Sequence, residues 1–85
     1  MPATYSEILS ILNSDKFDDS DRWVVRWQYN MLDEEFDLPL ARLIVVADLD
    51  NLAKLSRGFP VEVAGFRRWA HGDLGTRLRE AGLNI

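Results

Sequence analysis

Asp48 and Asp50 form a D-x-D step directly after the apolar run Leu43-Ile44-Val45-Val46-Ala47. An apolar strand that delivers two carboxylates in this way sets up magnesium-dependent phosphoryl transfer, with one carboxylate as nucleophile and both near the metal. Two features weigh against that reading. Leu52 stands where the chemistry wants threonine or valine, and the 35 residues after Asp50 are too few for a parallel sheet with a downstream lysine and acidic pair. Helix capping by Asp48 or Asp50 accounts for the same residues more simply. A calcium loop starting at Asp48 needs glycine sixth and an acid twelfth, positions held by Ala53 and Phe59. His71 is the one histidine and has no serine or cysteine nucleophile near it in the sequence; beside Gly72 it suits a helix C-terminus. The chain has no cysteine, which removes thiolate catalysis, disulfides and sulfur-ligated zinc. No set of nucleophile, base and oxyanion stabiliser is complete, so a non-enzyme with no cofactor and no metal is expected.

The charges are more distinctive than any catalytic pattern. Net charge is −4, and it divides unevenly: residues 1–37 carry nine acids and three bases, residues 38–85 five acids and seven bases. The acids cluster as Asp15, Asp18, Asp19 and Asp21, then Asp33, Glu34, Glu35 and Asp37. Each cluster precedes a helix start, where carboxylates cap N–H groups and oppose the dipole. The same carboxylates can form a face for a basic partner protein. Net acidity speaks against direct nucleic-acid binding, which needs a basic surface. Arg67, Arg68, Arg77 and Arg79 make the last third basic. They read as a solvated helix face, as an anion site, or as partners of the acidic half in a homodimer. Three tryptophans, four phenylalanines and two tyrosines are many for a core this small. Tryptophan is enriched at interface hot spots, so an exposed Trp23 or Trp27 is expected to anchor a partner.

The elements that must position these groups read as helices. Thr4 and Glu7 make a T-x-x-E capping box ahead of Ile8, Leu9, Ile11 and Leu12. Between residues 22 and 32, Trp23, Val25, Trp27 and Tyr29 alternate as in a strand, while Trp23, Val24, Trp27 and Met31 share a helical face. Helix is favoured there, capped by Asp19 or Ser20. The alternative is an α+β fold in which residues 23–29 pair with 43–46. Phe36, Leu40, Leu43, Ile44 and Ala47 keep helical period, with Pro39 in the first turn. Leu52 and Leu55 then lie on a short helix closed by Gly58. Pro60 opens another, with Val63, Phe66 and Ala70 inward, and Gly65 in its interior implies a close helix–helix approach. A last helix over 73–81 turns Leu74, Leu78 and Ala81 to one side, and Gly82 suits a Schellman turn that folds Leu83 onto Leu78.

The stretch from Ala47 to Leu55, followed by Gly58-Phe59-Pro60-Val61-Glu62-Val63, resembles small proteins encoded by bacteriophages and prophages. They carry a similar A-D-x-x-N-L-x-K-L-x-x-G-F-P-x-E-V pattern, with an amphipathic helix before it and an aromatic residue after it, as Phe36 to Ala47 and Trp69 provide here. The likeness covers roughly residues 36–69. It implies a mobile-element origin and a role directed at the host.

The sequence therefore predicts an all-α domain of four or five short helices over residues 1–85, with Phe36, Leu40, Leu43, Ile44, Val63, Phe66 and Leu78 in its core. The start Met1-Pro2-Ala3-Thr4-Tyr5-Ser6-Glu7 lacks a basic leader, and the longest apolar run is too short to span a bilayer, so a cytoplasmic chain is expected. Its expected role is to bind and block a host protein with a basic surface, in the manner of an anti-CRISPR. The alternative is a helical homo-oligomer that holds a small anion between subunits.

Overall fold

The computed structural model describes residues 4–83; Met1 to Ala3, read above for a leader, lie outside it, as do 84 and 85. Six α-helices follow one another: α1 (Tyr5–Leu12), α2 (Asp19–Gln28), α3 (Asp37–Val46), α4 (Leu49–Gly58), α5 (Pro60–His71) and α6 (Leu74–Glu80). The class is all-α, with six helices where four or five are expected and no strand among the described residues. No helix is long and apolar enough to cross a membrane.

Local chemistry explains most of the boundaries. Thr4 and Glu7 form the reciprocal capping box at α1. Asp18 and Asp21 form another at α2: the Asp21 N–H donates to Asp18 Oδ1 at 3.0 Å, and the Asp18 N–H to Asp21 Oδ2 at 3.2 Å. The cap is thus Asp18, rather than Asp19 or Ser20. Val24 and Val25 are both fully buried, which a strand with one face on the core would not allow. This settles the helix-or-strand ambiguity at residues 22–30 in favour of helix. Asn30, at φ 58°, ends α2 in the left-handed region, with the Met31 N–H bonded to Arg26 O at 2.7 Å. Asp33 Oδ1 accepts the Asp37 N–H at 2.8 Å and so starts α3, which keeps Pro39 in the first turn. Asp48 Oδ1 accepts the Asn51 N–H at 2.8 Å and starts α4. Gly82, at φ 105°, closes α6 in a Schellman turn: the Leu83 N–H reaches Leu78 O, the Gly82 N–H reaches Arg79 O, and Leu83 is buried with Leu78.

Helix α5 is the hub, with α2, α3, α4 and α6 packed on it and α2 most extensively; α1 packs on α2. Gly65 makes the α2–α5 approach possible. A Cβ there would collide with the Ser20 carbonyl oxygen and come within 3.0 Å of Val24 Cγ2. The core gathers Ile8, Ile11, Phe17, Trp23, Val24, Val25, Leu40, Ala41, Ile44, Val63, Leu74 and Leu78 among others. Leu40, Ile44, Val63 and Leu78 are where they were expected, and Phe66 is half-buried. Four residues expected inward face solvent. Phe36 and Leu43 lie on the surface, and Ala70 and Ala81 are exposed too. The cause at α3 is angular: α3 rests on α5 with the Leu40–Ala41–Ile44 side, and Phe36 and Leu43 stand well round the helix from it.

Candidate functional site

The structure joins the acidic and basic halves rather than separating them. Asp21 is only 1% exposed, with Oδ1 3.4 Å from Arg68 Nη1 of α5 and Oδ2 3.6 Å from Arg77 Nη1 of α6. Asp18 Oδ2 lies 3.0 Å from Arg68 Nη2. The Ser20 hydroxyl donates to Asp18 Oδ1 at 2.5 Å and accepts from Arg68. Arg77 also donates to Lys16 O at 2.9 Å and covers the Phe17 ring. The Ser20 hydroxyl bond does most to hold the Asp18 carboxyl well below the usual carboxylate range; partial desolvation opposes it, and the Asp21 N–H and Arg68 add to it. This cluster ties the start of α2 to α5 and α6 inside one chain.

It also reassigns several expected contact residues. Asp21 and Trp23 are buried, so neither can meet a partner from this conformation. Trp27 is half-buried between Trp23 (ring centroids 5.6 Å apart) and Phe66 (6.3 Å), and Trp69 is half-buried as well. No tryptophan is fully exposed: Trp23 is buried, and Trp27 and Trp69 are half-buried. Asp19 is exposed and pairs with Arg22 at 2.9 Å; Asp15, Glu34 and Glu35 are exposed, and Asp33 is an exposed cap. Of the arginines proposed for an anion site, Arg68 and Arg77 are turned to Asp18 and Asp21. Arg67 is exposed, and Arg79 donates to Thr76 Oγ1 at 3.3 Å. Arg68 and Arg77 are thus already neutralised within the chain. The D-x-D step fares no better as a phosphatase motif, because the segment before Asp48 is helix α3 and Asp48 itself caps α4.

The surface that remains without an internal explanation is apolar. Phe36, Leu43, Val45, Val46 and Leu49 are all exposed, Val46 at 78% and Leu49 at 84%. Phe36, Leu43 and Val46 share one side of α3 and Leu49 begins α4, while Val45 stands about 200° round α3 from Leu43. Leu43 stands between two hollows. One, of about 310 Å³, is lined by Leu43, Val46, Ala47, Asn51, Lys54 and Leu55. The other, of about 250 Å³, is lined by Glu35, Phe36, Pro39, Leu40, Leu43 and Phe59, with the Phe36 and Phe59 rings 5.7 Å apart. Glu35 lines one hollow and Lys54 the other; in the chain, exposed Asp33 and Glu34 precede α3, and exposed Asp48 and Asp50 follow it. Single exposed apolar residues are ordinary, whereas a contiguous apolar patch with a polar rim marks a contact surface.

A signal for this face was present in the sequence. The α3 segment D-L-P-L-A-R-L-I-V-V is apolar nearly all round, which belongs to a helix covered on more than one side. Reading a single stripe along it merged two faces into one. No protein-family model, curated protein or solved structure matches the chain.

Proposed function

We propose that this chain is a non-catalytic binding protein that covers and blocks a surface of another protein, in the mobile-element setting a host defence protein with a basic contact region. The exposed apolar side of α3, with a hollow before and after Leu43 and exposed carboxylates in the chain at both ends of the helix, is the observation that carries this reading. It retains the acidic rim and aromatic anchor expected from the sequence, but moves them: Phe36 and Leu43 supply the apolar centre, and Glu34, Glu35, Asp48 and Asp50 the rim. Asp18, Asp21 and Trp23 serve the fold instead. Apolar contact supplies most of the affinity of such an interface, and the rim carboxylates mainly speed encounter with a basic partner.

Affinity purification from bacterial cells expressing the chain, with folded Leu43→Lys as the paired control, tests the proposal. At least one protein is expected to be retained by the parent and lost with the variant. Its association with a Glu34→Lys, Glu35→Lys double variant should be slower and less sensitive to salt. Retention of the same proteins by parent and Leu43→Lys alike would overturn the proposal.

A further inference from the structure

We infer that the element received by this face is a basic amphipathic helix of the partner protein, laid along α3 across Leu43; the inference rests on the binding-protein reading above. Phe36, Pro39, Leu43 and Val46 recur at spacings of three and four, a second apolar stripe beside the one that faces the core. This is the spacing that a second helix matches when side chains interlock along a seam. The relief agrees with it, since Leu43 stands between two hollows that follow one another along α3, into which side chains of a packed helix can set. An extended segment finds less to hold. The described residues contain no strand, so there is no sheet edge to which a peptide backbone can add.

Charge selects among helical occupants. In the chain, Glu34 and Glu35 precede the stripe and Asp48 and Asp50 follow it, and these four acids outnumber Arg42 and Lys54. From Phe36 to Val46 the stripe spans about 15 Å, roughly three helical turns. The matching helix thus has about three turns of apolar stripe with lysine or arginine at both ends. A second copy of this chain fits poorly. Antiparallel two-fold pairing of α3 sets Glu34 and Glu35 against Asp48 of the other copy, and parallel pairing sets them against themselves. An anionic bilayer is repelled by the same rim.

A leucine–lysine peptide patterned to be apolar on one side as a helix is the probe. Two peptides serve as controls: the same composition in strict alternation, and a leucine–glutamate version of the helical pattern. Calorimetry gives the affinities, and amide chemical shifts locate the contact. The helical leucine–lysine peptide is expected to bind, to shift residues 36–55 and to gain helical circular dichroism. Leu43→Lys, and separately Val46→Lys, should weaken it roughly tenfold or more. Equal binding of the alternating or acidic peptide, no shifts at 36–55, or no loss with either lysine variant would each overturn the inference. So would dimerisation through this face in light scattering, which would identify a second copy as the occupant. The two readings fail separately. A purified partner that needs Leu43 but presents a loop or strand to it removes the helix and leaves the binding protein; a chain with no Leu43-dependent partner loses both.

Discussion

Alanine at Leu43 and alanine at Ile44 should have very different costs, although the residues are adjacent on α3 and nearly equal in size. Ile44 is 1% exposed and Leu43 51%. Truncation to alanine removes about three methylene equivalents, each contributing about 0.8 kcal/mol when fully buried. At Ile44 the whole transfer loss applies, with a cavity cost added, which places it at about 3–4 kcal/mol within the range for buried truncations. At Leu43 about half the transfer loss applies and the void opens to water, which leaves about 1 kcal/mol. For a domain of this size the gap of about 2 kcal/mol corresponds to a melting difference on the order of 10 °C. Urea denaturation of dilute protein, followed by tryptophan fluorescence and by far-ultraviolet circular dichroism, measures both. The buried Trp23 makes the first a reporter of core opening. Equal losses at the two positions would refute the placement of α3 and, with it, the exposed apolar face.

Gly65→Ala should destabilise the protein, because overpacking against the Ser20 carbonyl costs about 1–3 kcal/mol and outweighs the roughly 1 kcal/mol of helix propensity gained; a rise in the urea midpoint would contradict this. Asp21→Ala should cost about 3 kcal/mol, since it removes one half of the α2 capping box, takes the buried carboxylate from Arg77 and leaves Arg68 with Asp18 alone, whereas Asp19→Ala should change stability by less than about 0.5 kcal/mol. Because folding lowers the Asp18 pKa from its ordinary 3.8, its contribution is complete above that value and is lost as pH falls below about 4. Urea midpoints between pH 6 and pH 2 should therefore fall less steeply for Asp18→Asn than for the parent, and parallel curves would show that Asp18 is not part of the acid response.

What the sequence determined by itself is written in local chemistry. The Thr4–Glu7 box, Pro60 at a helix start, Asp48 as a cap and Gly82 in a Schellman turn each depend on residues within one turn of one another, so spacing suffices to place them. The Gly65 approach was legible too, because an interior glycine in a helix needs a reason. Other features depended on residues far apart in the chain. Alternation at 23–29 fitted strand as well as helix until Val24 and Val25 were both packed inside. The Asp21–Arg68 and Asp21–Arg77 pairs span three helices, and no local pattern shows that the acidic and basic halves neutralise each other within one molecule. Helix α3 is the sharpest case. Its apolar residues cover most of its circumference, so hydrophobic period alone does not say which side meets α5; only the packing of α3 on α5 turned Leu40, Ala41 and Ile44 inward and left Phe36, Leu43 and Val46 facing out.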